Sequence, residues 1–498
     1  MAEVALGFGV DFGTTNSVVA QADPRTGRVR ALTDAEGRPH PSVVWFRADG
    51  TTIVGREAKR NIHSYSDEVG NVFIPSIKRQ LGQDRVFRVF GQPRTAIDVA
   101  AEVFKFLRGR AKIESNLEIR EAVVAVPVYF DGRARRELRR AADSGGLYIK
   151  TFIHEPFAAV VGYCCGQPEG ERLQQLDGRN ILVFDWGGGT LDITVAAIKA
   201  GRMLELATAG LVDRAGDHFD DSLRRFTTSH FLDKNRLAPM DLAPTQSTKD
   251  RFLDECERVK ISLSGRDEDL VQVAQAFRVG ERVYDVDERV TRSEFEDLIL
   301  ADIKDAMHQV DKALETARLT TREVDLVLLI GGSSRIPLVQ RDMQERFGAR
   351  LVEVPNADTI IAEGAAIVEA RGMFPVLARS IGVRLSDGNI YEILQAGTIA
   401  KRDLCRKSVN FFCTDNRDGQ ARLVVTEEIG GKHLTKHVLP IPVSNQLPKP
   451  YNHERVTVKF ALDDDLVLHV SGKGATQQDG ASVELHDLCF GLKTVGEG

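Results

Sequence analysis

The strongest constraint on this chain is a pattern that it carries twice. Residues 6–20 read Leu-Gly-Phe-Gly-Val-Asp-Phe-Gly-Thr-Thr-Asn-Ser-Val-Val-Ala, and residues 181–195 read Ile-Leu-Val-Phe-Asp-Trp-Gly-Gly-Gly-Thr-Leu-Asp-Ile-Thr-Val. Each is an apolar run, an Asp, a turn of small residues and a second apolar run. That order predicts a β-hairpin with an Asp just ahead of its turn. Asp11 and Asp185 lie about one domain length apart. The repetition predicts an internal duplication, two homologous halves facing each other.

Each half continues as strands alternating with helices, the signature of an α/β sheet protein to about residue 372. Glu121–Phe130 reads as a buried strand, Asp131–Gly145 as an Arg-rich helix and Lys150–His154 as another strand. Glu155-Pro156 opens a helix, with Pro in the favoured first turn. Thr291-Arg-Ser-Glu294 is a capping box that starts a helix to about Thr316. Val324–Ile330 is a buried strand running into Gly331-Gly332, with a helix from about Pro337. Beyond Gly372 the texture changes to short strand signals separated by turn clusters such as Ser386-Asp-Gly-Asn and Asp415-Asn-Arg-Asp-Gly. Seven such strands, from Gly382–Leu385 to Leu466–Val470, predict a β-sandwich. The expected organisation is residues 1–373 as one unit (halves 1–179 and 180–373), a connector 374–380, and a sandwich over 381–498.

Composition narrows the function classes. The chain has 498 residues, 42% of them hydrophobic and 28% charged, the balance of a globular protein of about three folding units. Net charge is −6, so no global basic field recruits nucleic acid or anionic lipid. No uncharged run reaches the roughly 20 residues of a membrane helix, and the start lacks a basic signal-peptide region. Six cysteines, none spaced Cys-x-x-Cys, fit neither a disulfide framework nor a zinc site. The expectation is a cytoplasmic chain with no nucleic-acid or membrane partner.

Glycine turns between strands let backbone N–H groups approach a polyphosphate, because no Cβ intervenes. Thr14, Thr15 and Thr190 add hydroxyls, and Asp11 and Asp185 on opposing hairpins suit Mg²⁺ held through its waters. On a helix from Asp250, Phe252, Cys256, Val259 and Leu263 form the buried stripe. Glu257, Lys260 and Ser264 fall on another stripe, left free for contacts outside the core. Gly331-Gly332 offers bare backbone for a flat base, with Arg335 to stack over it. The arginines at 133, 135, 136, 139 and 140 read as a solvated helix face, and Cys164-Cys165 as packing within a helix.

The hairpin pair resembles the phosphate loops of the actin–hexokinase–chaperone ATPase superfamily. Gly-Val-Asp-Phe-Gly-Thr-Thr-Asn-Ser is similar to the N-terminal signature of the heat shock protein 70 chaperones. Four further groups of residues resemble that family. These are Asn71–Gln83, and Ala125-Val-Pro-Val-Tyr-Phe130 with Arg135 and Ile153-His-Glu-Pro-Phe-Ala-Ala159. The others are Glu257–Ser264 with Ile330–Pro337, and Asn356–Ala366. The resemblance implies a two-lobed actin-like ATPase domain, of duplicated ribonuclease-H-like halves, followed by the β-sandwich. It implies ATP/ADP with Mg²⁺, and K⁺ near Asp11 and Asp192. Lys78, Glu155, Asp185 and Thr190 take the catalytic positions. Nucleotide contacts fall at Asp11, Gly13, Thr14, Thr15, Asn16, Gly187, Gly188, Gly189, Gly216, Glu257, Lys260, Ser264, Gly331, Gly332, Ser333, Arg335, Ile336 and Asp358. Asp11, Asp185 and Asp192 serve the metal, and Pro127 with Arg135 forms the interdomain switch.

The C-terminal part resembles the family's peptide-binding β-domain, with Ile390 and Val425 as expected pocket wall; sandwich core is the competing reading of both. Three departures stand out. Phe374–Ser380 has Pro375 and Arg379 in place of a leucine-run linker, Ala215-Gly-Asp-His218 replaces Gly-Gly-Glu-Asp, and no helical lid is expected after the sandwich. Leu466 stands where the family usually has glycine. The implied partners are unfolded polypeptides, a co-chaperone and a nucleotide-exchange factor. Two alternatives stay open: an exchange or holdase-type interaction protein that scarcely cycles, and a small-molecule kinase on the same fold.

Overall fold

The computed structural model describes residues 6–166, 173–242, 244–352, 354–400, 405–415, 417–429, 431–445 and 454–493. The outermost ends of the expected units, and Asn416 in one expected turn, lie outside the described residues. Both repeated segments are hairpins: Gly7–Phe12 with Asn16–Ala22, and Asn180–Trp186 with Thr190–Lys199. In each, the first strand also pairs in parallel with a later apolar strand, Glu121–Val126 in one half and Leu326–Ile330 in the other. The same local topology twice is what a duplication leaves behind. Asp185 sits directly opposite Asp192 across its hairpin, and Asp11 opposite Val18.

Helices Glu155–Gly166 and Ile360–Ala370 pack together between the two sheets. Their approach is too close for a side chain at Gly364, whose Cβ would collide with the Ala158 backbone. Helix Arg292–Ala317 starts at the expected capping box, with Thr291 and Glu294 each bonded to the other's backbone. The hairpin Glu268–Val279 with Arg282–Thr291 and the helix Gly216–Asn235 complete the second half. Among the described residues no helix is long and apolar enough to cross a membrane.

Among the described residues the sandwich has two four-stranded sheets. One runs Ile390–Leu394, Ile381–Arg384, Gln420–Ile429, Lys432–Pro442; the other runs Arg406–Cys413, Glu454–Leu462, Leu468–Gly474, Ala481–Leu485. Val425 is fully buried with Leu439, Ile441, Val458 and Phe460 in this core, the position the sandwich-core reading gives it. It pairs with Val383 on the inward face, where alternation along the strand puts apolar residues. Ile390, one strand over on the edge, is half-buried against Gly382.

The sandwich does not hang from a bare connector. Phe374–Leu377 is a strand, and its partner is Phe490–Lys493 from beyond the last sandwich strand. That strand pairs in turn with Arg202–Val212, so the second half's sheet gains two strands from the connector and the chain's far end. Val376, Leu377, Phe490 and Leu492 are each buried to within 2%. Buried apolar residues also run unbroken from the first half into the sandwich.

The Arg-rich helix, Gly132–Ser144, turns Arg135, Arg136 and Arg139 toward this junction, which corrects the solvated-face reading for those three, while Arg133 and Arg140 are exposed as expected. Arg139 pairs with Asp465 at 2.6 Å and donates to the Asp464 carbonyl at 2.7 Å, while Arg136 meets Glu484 at 3.2 Å. Helical spacing shows an arginine stripe but not what covers it.

Candidate functional site

Between the halves lies a cleft of about 2010 Å³. Every residue expected at the nucleotide lines it, from Asp11 and the Gly13–Asn16 turn to Arg335 and Asp358, as do Lys78, Pro127, Glu155 and Asp192. Arg135, Ile390 and Val425 lie elsewhere, Arg135 at the junction with the sandwich.

The two turns meet head on: a Cβ at Gly188 would overlap the Thr15 hydroxyl. The second turn is held by its carbonyls. Gly187 accepts from the Gly216 amide at 3.2 Å and the Ser333 hydroxyl at 2.8 Å; Gly188 accepts from the Asp217 amide at 2.7 Å; Gly189 accepts from the Asp213 amide at 3.3 Å. A trans peptide points its N–H opposite to its C=O. The amides of Gly188 and Gly189 are therefore aimed away from those donors, a concave arrangement that suits anions. Thr15 Oγ1 is buried beside it with no hydrogen-bond partner.

Below the turns, Lys78 Nζ donates to Glu155 Oε1 at 2.6 Å, both residues being at most 7% exposed. Lys78 comes from the Ile77–Gln80 turn, entered through Ser76 at φ 56°, and Glu155 begins the helix after the strand Tyr148–His154. Burial works against the ammonium, but Glu155 and Asp11 hold its pKa above the usual lysine range. The carboxyls show the opposite strain. Burial, then the Glu155 charge, lifts Asp11 and Asp192 to about 7, and burial with Glu155, Asp192 and Asp11 pushes Asp185 well above its usual value. One lysine does not offset buried Glu155 and three half-buried aspartates, so the site is short of positive charge.

That shortage, with an all-oxygen donor set, fits a hard cation. Among the described residues no three acidic, His or Cys side chains converge to ligate a metal directly. Asp11, Asp185 and Asp192 would thus hold Mg²⁺ through water and phosphate oxygens. Thr190 Oγ1 donates to Asp192 at 2.9 Å and fixes its orientation.

Toward the mouth, Lys260 donates to Asp220 at 2.8 Å and to the Gly216 carbonyl at 3.0 Å, Glu257 is paired with Lys59 at 2.5 Å, and Arg335 with Asp358 at 3.2 Å. The adenosine-side groups thus have protein partners here, and the Lys59–Glu257 pair spans the two halves.

An Hsp70 family model, described as Hsp70 protein, matches residues 7–93 and 86–487. Chaperone protein DnaK from Thermotoga petrophila is 30% identical over 487 residues, covering 93% of this chain and 78% of that protein. The protein of the same name from Thermosipho africanus is 29% identical over 488 residues, covering 93% and 77%. The chain belongs to the Hsp70 family. Membership places it among the chaperone ATPases, with the two-lobed actin-like ATPase fold and the β-sandwich seen above.

Measured against that Hsp70 frame, sequence reading missed several site residues. Tyr129, whose hydroxyl meets Thr190, lines the cleft from the Ala125–Phe130 segment, two positions after Pro127. Lys59, Asp217 and Asp220 carry no local signal; their partners lie on other elements.

Proposed function

We propose that this chain is a chaperone that binds and slowly hydrolyses ATP between its halves and holds extended polypeptide on its sandwich. The observation that carries the reading is the buried Lys78–Glu155 pair beneath two facing phosphate-type turns. Bound Mg-ATP would supply the electrophilic phosphorus and a cation to neutralise its oxygens. The residues do the rest. The Gly188 and Gly189 amides bind phosphate oxygens, Lys78 neutralises charge that grows in the transition state, and Glu155 with Asp185 orients the attacking water. Thr190 sits beside the transferred group, and Asp11 with Asp192 is the place for K⁺. Glu257, Lys260, Ser264 and Arg335 would hold adenosine once their present partners give way. Adenosine diphosphate and phosphate are the products.

For polypeptide, support comes from exposed apolar groups on the outermost strands of the two sandwich sheets. Tyr391 and Phe412 are 47% and 60% exposed, and Tyr391 meets Phe411 edge to face at 5.7 Å beside Ile390. Such edges suit an extended chain, through main-chain hydrogen bonds and apolar contacts. A co-chaperone, a nucleotide-exchange factor and a cytoplasmic setting accompany this reading.

The docked sandwich favours a second reading, a holdase-type protein that binds ATP but scarcely cycles. Single-turnover release of the terminal phosphate, with and without unfolded peptide, separates the two. Slow release stimulated less than about fivefold by peptide supports the chaperone with weak coupling. No release with intact ATP binding supports the holdase.

A further inference from the structure

The Ile77–Gln80 turn carries a second cation that the reading above leaves unused. Lys78 points down to Glu155; Arg79 crosses the cleft to the other half. Its Nη1 donates to Asp213 at 3.1 Å, and its Nη2 lies 3.7 Å from Asp217. The guanidinium packs against the second turn, so that a Cβ at Gly189 would overlap it, and its Nε is buried there without a hydrogen bond. Asp213 and Asp217 are also the residues whose backbone amides hold the Gly189 and Gly188 carbonyls. One arginine thus reaches, through two carboxylates, two of the donors that anchor the turn, those that set where the Gly189 and Thr190 amides point.

We infer that Arg79 is a positioning residue: it clasps the halves at the phosphate end of the cleft and holds the Gly187–Gly189 turn in its anion-ready shape. The inference rests on the nucleotide reading for its consequence but not for its geometry. Phosphate lies between Lys78 and the turn in that reading, so adjacent residues would sense it from two sides, Lys78 directly and Arg79 through the turn's frame. The clasp is separate from the Lys59–Glu257 pair at the other end of the cleft. All three side chains are partly exposed, with Asp213 and Asp217 75% and 51% open, so the pairs add little to folding stability and are sensitive to salt. The effect belongs in the rate at which the cleft opens.

The test is release of fluorescently labelled ADP from the full chain, chased with unlabelled ADP in a stopped-flow instrument at low and high salt. Arg79→Met should release label roughly three- to tenfold faster at low salt, with an unchanged melting temperature. High salt should speed the wild type toward that rate and leave the variant alone. Arg79→Lys should fall between. Asp217→Asn should act non-additively with Arg79→Met, whereas Lys59→Met should add to it. Hydrogen exchange of the nucleotide-free protein gives a second readout, with faster exchange at residues 187–190 in Arg79→Met. Wild-type release rates together with unchanged exchange, or full additivity with Asp217→Asn, would overturn the inference. Wild-type protein that binds no ADP, with the exchange difference intact, would sink the nucleotide reading alone.

Discussion

The Leu466 carbonyl accepts from the Arg135 guanidinium at 3.3 Å, and the Leu466 backbone is bent to φ 60° to present it. The same arginine donates to the Asp465 carbonyl at 2.7 Å and to the His486 carbonyl at 3.3 Å, and is itself only 2% exposed. The Leu466 side chain is 1% exposed and shares the lining of a small cavity with Phe152, Phe157, Pro375 and Phe490, where ATPase half, connector and sandwich meet. A glycine takes that backbone shape without strain; a leucine takes it at a cost of roughly 1 kcal/mol. Here the cost is offset by a plug.

Leu466→Gly should therefore loosen the junction although it relieves the backbone. Losing the buried side chain costs about 2–5 kcal/mol, more than the strain released. Calorimetry should show a lower melting temperature, and hydrogen exchange should show faster exchange at residues 374–377. A higher melting temperature would mean that strain outweighs packing.

Arg135→Lys tests the carbonyl cluster. Lysine keeps the charge but cannot reach three carbonyls from one planar fork. Each buried carbonyl left unpaired costs about 1–3 kcal/mol, so the sandwich should undock more often. Limited proteolysis between residues 378 and 380 should cut the variant several-fold faster, and equal cutting rates would argue that Arg136 and Arg139 suffice.

Leu492→Asp tests the borrowed strand. It buries a charge in an apolar sheet position that is 1% exposed. Small-angle scattering should show a larger radius of gyration, and peptide should then stimulate ATP turnover more than in wild type, because the connector is released. An unchanged radius would show that the arginine contacts hold the sandwich without the strand.

Lys78→Ala should abolish hydrolysis while leaving nucleotide binding near normal, since it removes charge stabilisation at the phosphate and not the adenosine contacts. Quenched single-turnover assays with a parallel binding titration check this. Hydrolysis at the wild-type rate would refute the role given to Lys78.

Glu205 gives a pH prediction. It is buried at the same junction, 3.8 Å from the His154 ring, and burial lifts its pKa to about 7 despite Arg379. An acid raised in the folded state contributes stability below its ordinary pKa, near 4.5, and loses it as pH climbs through about 7. His154 is held neutral by burial, with a pKa of about 3, which gives the opposite slope up to its ordinary 6.5. The two partly cancel in wild type. Glu205→Gln removes only the first, so its stability relative to wild type should rise with pH between 4.5 and 7 and plateau above. The gain at pH 8 over that at pH 4 should be about 3 kcal/mol. Denaturant unfolding of both proteins across that range is the check, and a flat difference would contradict it.

How much of this was legible follows from the range over which each feature is written. The hairpins, the capping box at Thr291 and the parallel strand Leu326–Ile330 are local patterns of period and turn chemistry, and they stand where the sequence puts them. The residues expected at the nucleotide line one cleft; most sit in or beside a turn whose own motif positions them, and Glu257 with Lys260 shares one stripe of the helix Gln246–Leu263. Arg79 and Lys59 were invisible because an ion pair across a cleft has no local pattern. Val425 was ambiguous for a physical reason: an inward-facing valine reads the same whether it meets another sheet or a peptide.

The sequence by itself determined a duplicated α/β core with two acidic glycine turns and a sandwich after it, since period and turn residues act over a few positions. Only the tertiary structure decided that Phe490–Lys493 joins the ATPase sheet, that Leu466 plugs the junction, and that the arginine helix faces the sandwich. Those depend on partners up to 351 positions apart, and burial, not local pattern, selects among them.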